Sequence, residues 1–165
     1  MTPVGGMMGP MTFDHLFSGS AICSVSADGE ITLPAFVRTQ LERRSPGRAV
    51  MFGAHESDPC LTGCDVGHLP RLHADAERRR LREEAAGVAP EIHHARLRRT
   101  FGFLEEAGYD DAGRIVLPPM VRRKGGIGDL ALFVGTGGNF EVWNPNRARE
   151  TGCDELRELA DYRLA

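Results

Sequence analysis

The sequence predicts an α+β fold, mainly β, in which two tandem copies of one β-rich half are joined by a helical linker. Three observations support this: an internal repeat, alternating apolar and polar residues within each copy, and a stretch of helix formers between the copies. Hydrophobic residues make up 41% of the 165 residues and charged residues 26%, which is typical of globular proteins. The fold class therefore depends on pattern and not on composition.

The internal repeat aligns residues 25–38 with residues 109–122 without a gap. Six of the fourteen aligned positions are identical: Gly29/Gly113, Ile31/Ile115, Leu33/Leu117, Pro34/Pro118, Val37/Val121 and Arg38/Arg122. With short gaps, residues 48–53 then correspond to 130–135, and residues 60–62 to 140–142. The matching order of elements indicates a duplication within the chain.

Each copy is predicted to run strand, turn, strand, short helix, strand, loop, strand. The glycine of each turn supplies a backbone conformation that other residues adopt reluctantly. A Leu-Pro pair then ends the second strand, and proline suits the first turn of the helix that follows. The predicted strands are 21–25, 49–52, 60–62, 115–117, 130–134 and 139–143, and the short helices are 35–43 and 119–124.

The segment between the copies predicts two helices. Residues 69–86 are rich in helix formers, Gly87 is a natural terminator, and Pro90 begins a second helix that continues to about Phe103. The glutamates and arginines of residues 77–84 are interpreted as a solvent-exposed face with i,i+4 ion pairs.

A half of about 45 residues is too small to bury a convincing core alone, so the two halves are expected to pack on each other. The predicted organisation is a flexible tail (1–12), a first half (13–64), a helical linker (65–100), a second half (101–148) and a C-terminal tail (149–165).

Composition limits the class of protein. No window approaches the ~18 uninterrupted apolar residues of a membrane span, and the first dozen residues lack the pattern of a signal peptide, so a cytoplasmic protein is expected. Its four cysteines are expected to be free thiols. The net charge of −3 leaves nucleic-acid binding open, because basic patches can coexist with acidic surface.

The second half carries an Asp-x-x-Gly-Arg turn, Asp110 to Arg114, followed by an apolar strand and the prolines 118 and 119. The closing segment 134–143 places a Gly-rich turn before an aromatic–Glu–aliphatic–Trp strand. Together with the duplication, these features resemble the MraZ family over roughly residues 13–150. The resemblance implies two tandem half-units of the SpoVT/AbrB type, which form an intrachain pseudo-dimeric double-psi or swapped-hairpin barrel.

The first half departs from this motif. The positions that match Asp110 and Arg114 hold Ser26 and Glu30. In relatives the turn arginine is the residue expected to meet DNA, whereas a carboxylate near phosphates is repulsive. The resemblance therefore carries the DNA-contact role onto Arg114 and not onto Glu30.

The resemblance implies double-stranded DNA as the partner. Arg114 is the expected contact, Asp110 and Gly113 brace its turn, and further basic residues are expected to meet phosphates. These further residues are Arg38, Arg122, Arg123 and Lys124. From spacing alone, an ordinary hairpin salt bridge between Asp110 and Arg114 without a ligand is the favoured interpretation, and it is the resemblance that favours the DNA contact.

Other chemistries are not expected. Cys60, Cys64, His68 and His73 resemble zinc-ligand spacing, but glycines and a predicted strand interrupt them, so no metal is expected. The glycines at 125–128 and 135–138 do not fit a phosphate loop or a dinucleotide motif, so no cofactor is expected either. With no nucleophile–base pair in view, the chain is predicted not to be an enzyme.

The leading functional hypothesis is a DNA-binding repressor. The resemblance implies action on the promoter of the division and cell-wall gene cluster through G-rich direct repeats, by a ring-shaped homo-oligomer associated with the nucleoid. No membrane and no small-molecule substrate are expected. Two alternatives are a ring-forming interaction module that has lost DNA binding in its first half, and an AbrB-like antitoxin, against which the duplication argues.

Overall fold

A computed structural model describes residues 15–151 and 153–165 of the chain. The predicted flexible tail, residues 1–12, lies outside the described residues. The strands are β1 (Ser20–Ser24), β2 (Glu30–Thr32), β3 (Ala49–Ala54), β4 (Leu61–Cys64), β5 (Glu105–Gly108), β6 (Arg114–Val116), β7 (Leu130–Gly135) and β8 (Phe140–Trp143). The α-helices are α1 (Ala35–Arg44), α2 (Leu69–Ala85), α3 (Pro90–Phe101), α4 (Pro119–Gly125), α5 (Pro145–Glu150) and α6 (Asp154–Leu164), and a 3₁₀ turn covers Val66–His68.

The strands form two antiparallel sheets. The larger has six strands in the order β1-β7-β8-β4-β3-β5, and the smaller pairs β2 with β6. The order is symmetric between the two halves. If β1 is exchanged with β5, β3 with β7 and β4 with β8, the same strand order results when the sheet is read from its opposite edge. The predicted mixed α and β architecture is confirmed, and the paired strands are antiparallel.

Two details of the predicted fold class differ from the structure. The described strands do not close into a barrel, because β1 and β5 remain the two ends of the larger sheet. Among residues 15–151 and 153–165, helical residues also outnumber strand residues, so "mainly β" does not describe this part of the chain. The helical excess comes from α2 and α3 in the linker and from α6, which occupies the segment expected to be a tail.

Individual residues account for where several helices begin and end and for the face that they bury. Prolines occupy the first turn of α2, α3, α4 and α5, where the missing N–H has no intrahelical acceptor to lose. In α1 the buried residues Val37 and Leu41 are four apart, so both face the sheet. Helix α4 ends at Gly125, and the next residue, Gly126, caps it in a left-handed conformation with a φ of 62°.

The main core lies between the two sheets and the short helices. At the centre of the smaller sheet Ile31 pairs with Ile115, and both side chains are almost completely buried. Phe140 stands near the middle of the core, with its ring 5.2 Å from that of Phe17 and 5.8 Å from that of Phe133. This packing holds the turns before β2 and β6 in fixed positions.

Helix α6 forms a second, smaller core. Its Leu156 and Ala160 are buried against Trp143 and Leu132, which belong to β8 and β7. Within the described part of the chain, no helix has the length and apolar character that a membrane crossing requires.

Candidate nucleic-acid interface

Two turns precede the strands of the smaller sheet. The first turn covers residues 26–30 and the second turn residues 110–114. In the first turn the N–H of Ser26 donates to the carbonyl of Glu30 (3.0 Å) and the N–H of Gly29 to the carbonyl of Ser26 (2.9 Å). In the second turn the corresponding bonds run from Asp110 to Arg114 and from Gly113 to Asp110, both 3.0 Å. The two backbones therefore use the same hydrogen-bond pattern.

Both turns require glycine at one position. Gly29 has a φ of 88° and Gly113 a φ of 81°, a region in which side chains are strained. A Cβ on Gly113 would also lie 3.2 Å from the side chain of Arg38. The turn-bracing role expected for Gly113 thus has a structural basis, and Gly29 fills the same role in the first turn.

A side chain stabilises each turn from within. The Oγ of Ser26 accepts the N–H of Glu30 at 2.9 Å. The Oδ1 of Asp110 accepts the N–H groups of Ala112 (3.0 Å) and Arg114 (2.9 Å). Ser26 therefore supports its turn as Asp110 does, with one bond fewer and without a charge.

Arg114 carries the only positive charge within the two turns. Its Nε donates to Oδ2 of Asp110 at 3.0 Å, and its side chain is 56% exposed. The pKa of Asp110 is lowered, mainly because its carboxylate accepts the backbone N–H of Arg114, and then because of the guanidinium bond. Among residues 15–151 and 153–165, no partner binds the two terminal nitrogens of Arg114. The salt bridge between Asp110 and Arg114 that the spacing predicts is present, and it leaves the two terminal nitrogens of the guanidinium able to bind another molecule.

Arg38 and Arg122 donate to backbone carbonyls of the two turns, and their expected contact with phosphates stays a prediction. Arg122 donates through Nη1 to the carbonyl of Ala27 in the first turn (2.9 Å). Its Nε and Nη2 donate to the carbonyls of Ile127 (3.1 Å) and Gly128 (3.2 Å). Arg38 donates through Nη2 to the carbonyl of Asp111 in the second turn (2.5 Å), while its Nε pairs with Glu42. Each arginine thus holds the turn that belongs to the other copy of the repeat.

The remaining basic candidates lie on α4. Arg123 is exposed, and the Nζ of Lys124 lies 4.6 Å from the centre of the Phe103 ring. Both are near the turns without being part of them, and their contact with phosphates stays a prediction.

The outward face of the smaller sheet consists of four exposed side chains: Glu30, Thr32, Arg114 and Val116. Thr32 lies directly opposite Arg114, and Glu30 opposite Val116. Val116 is 50% exposed, which is unusual for a valine inside a sheet. The sequence motif points to Arg114 and Glu30 and gives no indication of Thr32 or Val116. The alternation around buried Ile31 and Ile115 was the signal that could have found them.

The cysteines and histidines considered as zinc ligands are arranged for other purposes. Cys60 and Cys64 are buried, burial raises the pKa of the Cys64 thiol to about 12, and no group of potential metal ligands among the described residues includes either cysteine. The Nδ1 of His68 lies 3.2 Å from Arg44, and burial lowers the pKa of His68.

A different group, His55, Asp58 and Glu141, places its potential ligand atoms within 4.8 Å of one another. The Nδ1 of His55 accepts the backbone N–H groups of Ser57 (3.1 Å) and Asp58 (2.9 Å), so its Nε2 is the protonated nitrogen. This nitrogen lies 3.3 Å from Glu141, whose other oxygen accepts the indole N–H of Trp143 (2.8 Å). The hydrogen bond to Glu141 is the main cause that raises the pKa of His55. The group is a hydrogen-bonded brace between loop and sheet.

Comparisons with known proteins bear on these observations. No family model matches the chain. A transcriptional regulator MraZ from Coxiella burnetii is 30% identical over 146 residues, which cover 87% of this chain and 89% of the relative. Proteins of the same name from Herminiimonas arsenicoxydans and Cytophaga hutchinsonii are 28% and 25% identical, over 86% and 90% of this chain and 91% and 95% of their own lengths.

All of these relatives are named as regulators of transcription, which confirms the prediction that this chain is not an enzyme. In each comparison the alignment covers more than four-fifths of this chain. The chain belongs to the MraZ family.

Proposed function

We propose that this protein is a DNA-binding transcriptional regulator that contacts double-stranded DNA through the second turn. The observation that carries the proposal is the position of Arg114: at the end of a turn fixed by Asp110 and Gly113, with its guanidinium exposed. A guanidinium presents two parallel N–H groups that match the O6 and N7 of guanine or the oxygens of a phosphate. The names of the relatives support the same function.

The proposed architecture is two SpoVT/AbrB-like half-units, residues 13–64 and 101–148, that exchange strands. In support, β1 pairs with β7, β2 with β6, β3 with β5 and β4 with β8, so each of these pairs joins one half to the other. The hydrogen bonds around the smaller sheet match as well: the N–H of Leu33 donates to Gly113 (2.8 Å), and that of Leu117 to Gly29 (2.9 Å).

The proposed target is the promoter of the division and cell-wall gene cluster, where the protein represses transcription by binding G-rich direct repeats. One exposed turn arginine per chain offers few contacts, so a homo-oligomer, a ring in our proposal, would raise affinity by multivalency. Direct repeats suit such an assembly, because each protomer meets the same sequence in the same orientation. A nucleoid-associated cytoplasmic location follows from this function.

The test is binding to the promoter upstream of the protein's own gene, measured by fluorescence anisotropy. Replacing Arg114 with alanine should weaken binding by roughly 5- to 150-fold per protomer engaged. Arg78→Ala is the matched control, because Arg78 is equally exposed and also pairs with an aspartate, Asp75, but lies on α2. Equal affinities for Arg114→Ala and Arg78→Ala would refute the turn-arginine mechanism.

The second candidate function is a protein-interaction module that forms the same assembly without DNA. Glu30 favours it, because it places a carboxylate at the position that matches Arg114. Failure of the unmodified protein to bind any duplex from a random pool, while it still assembles, would establish this alternative.

A further inference from the structure

We propose that the outward face of the smaller sheet reads base edges in the major groove, with Glu30 selecting cytosine and Val116 selecting thymine. This inference rests on the proposed DNA-binding function and assigns its sequence preference. The surface consists of the four side chains Glu30, Thr32, Arg114 and Val116, which we call the ladder face.

The shape of the ladder face suits the groove. Strands β2 and β6 form a two-stranded antiparallel ribbon of three residues each, and B-form DNA admits such a ribbon in its major groove. The ribbon is firmly supported, because Ile31 and Ile115 anchor its inner side in the core and Arg38 and Arg122 hold the turns at its ends. The side chains on its outer side are therefore already held in place, and no loop has to become ordered before they meet DNA.

The chemistry of the ladder face matches bases better than phosphates. Asp28, Glu30, Asp110 and Asp111 place four carboxylates in the two turns, against the single guanidinium of Arg114 and the two bracing arginines. A surface so close to neutrality gains little from releasing counterions, which is the source of phosphate affinity. The contribution of the ladder face to DNA affinity therefore has to come from hydrogen bonds and apolar contacts with base edges.

Glu30 has the chemistry for one base. A carboxylate accepts a hydrogen bond from the N4 amino group of cytosine, and the acceptors of guanine and of the thymine edge repel it. Glu30 is exposed, and its backbone N–H is already bound by Ser26, so the side chain extends from a fixed strand. The residue that would be unfavourable against a phosphate is thus suited to a C·G pair read from the cytosine side.

Val116 lies directly opposite Glu30 and two residues beyond Arg114 on the same face. Its exposed methyl groups suit the 5-methyl group of thymine, which is the apolar feature of the major groove. Residues two apart on a strand are about 6.6 Å apart, close to two steps of the ~3.4 Å rise of DNA. A guanine read by Arg114 and a thymine read by Val116 are then two base-pair steps apart.

The test selects binding sequences from a randomised duplex pool with the wild-type protein and with Glu30→Gln, Glu30→Arg and Val116→Ser. Glutamine pairs with adenine and arginine with guanine, so one selected position should change from C to A and to G in the two Glu30 variants. If Glu30 acted only by repelling phosphates, Glu30→Arg would raise affinity for all sequences alike and leave the selected motif unchanged. That result would overturn the inference.

Thymine is tested on the selected duplex by replacing each T with deoxyuridine, which lacks only the 5-methyl group. One such replacement should weaken the wild type by about three- to fivefold, the value of one buried methyl group, and should not affect Val116→Ser. Glu91→Gln and Val66→Ser serve as controls, because both residues are exposed and lie off the ladder face.

The outcomes separate the two proposals. Loss of binding in Arg114→Ala with unchanged preferences in the Glu30 and Val116 variants would refute the base-reading role and leave the proposed function standing. A wild type that selects no sequence and binds no duplex would refute both.

Discussion

The first and second turns share one backbone and carry opposite charges. Their hydrogen bonds match, both have a glycine at the same left-handed position, and an arginine from the other copy holds each of them. At the position that follows the glycine, one turn has Glu30 and the other Arg114. The backbone of such a turn is therefore maintained by Ser26 or Asp110, the glycine and the distant arginine, and the exposed position is left to determine what the turn binds.

The largest expected effect tests whether the two copies contribute equally to the core. Ile31→Ala and Ile115→Ala should each lower the free energy of unfolding by about 2–5 kcal/mol, because both side chains are buried and leave a cavity. Urea denaturation measures both values. A difference of several kcal/mol between the two variants would show that one strand of the smaller sheet contributes more to the core than the other. The two copies would then be alike in their backbone and not in their packing.

The next effect concerns the glycines. Gly29→Ala and Gly113→Ala should each cost about 1–2 kcal/mol, since alanine is strained at the φ values of 88° and 81°. Gly47→Ala is the control with a φ of 87°, where a Cβ meets nothing within 4 Å. Costs at Gly29 and Gly113 above that of the control would measure the packing of the turns against Arg122 and Arg38.

A smaller effect separates bracing from phosphate contact. Arg122→Ala should destabilise the fold by about 1 kcal/mol, because three carbonyls lose a donor, and Arg38→Ala should cost less because one carbonyl does. Neither should reduce the slope of log affinity against log salt, whereas Arg123→Ala, on exposed α4, should. A reduced slope in Arg122→Ala would show that Arg122 contacts phosphates, as the sequence predicts.

The smallest effect is a difference in pH dependence. The pKa of Asp110 in the folded protein is below its ordinary value, so its stabilising contribution is complete above the unfolded pKa and is lost as the pH falls through the folded one. Asp110→Asn should remove this loss from the acid limb of the unfolding curve, between about pH 5 and 2. Ser26→Ala should lower stability by the same amount at every pH, since a hydroxyl does not titrate. An acid limb unchanged by Asp110→Asn would show that the bonds its carboxylate accepts, from the backbone N–H of Arg114 first and from the guanidinium second, add no stability that depends on pH.

Much of the fold was predictable because the signals are local and occur twice. The Asp28–Gly29 and Ala112–Gly113 turns, the Leu-Pro strand ends and the two linker helices all follow from residue chemistry. Helix α6 was missed although Leu156, Leu159 and Ala160 have helical spacing, because the acidic residues around them suggested a tail. The partners of the strands were not predictable in detail, since register across copies depends on tertiary packing.

The candidate site was predictable at Arg114, where motif and chemistry coincide. At Arg38 and Arg122 the bonds to carbonyls were not predictable, because a basic residue in sequence looks the same whether it binds a phosphate or a carbonyl. Only the position of the turn of the other copy, brought near by the pairing of β2 with β6, distinguishes these two roles.

The pairing of β1 with β7 also constrains how the protein is made. Ser20 pairs with Val134, so the only ladder partner of β1 among the described strands leaves the ribosome more than a hundred residues later. At a synthesis rate of about 5–20 residues per second, this amounts to a delay of roughly 6–20 seconds. During that time β1 has no partner strand, and β2 has none until β6 has emerged, so apolar residues such as Ile22 and Ile31 are exposed. A nascent chain of this protein is therefore expected to depend on ribosome-associated chaperones, or on slow initiation, until β7 has emerged.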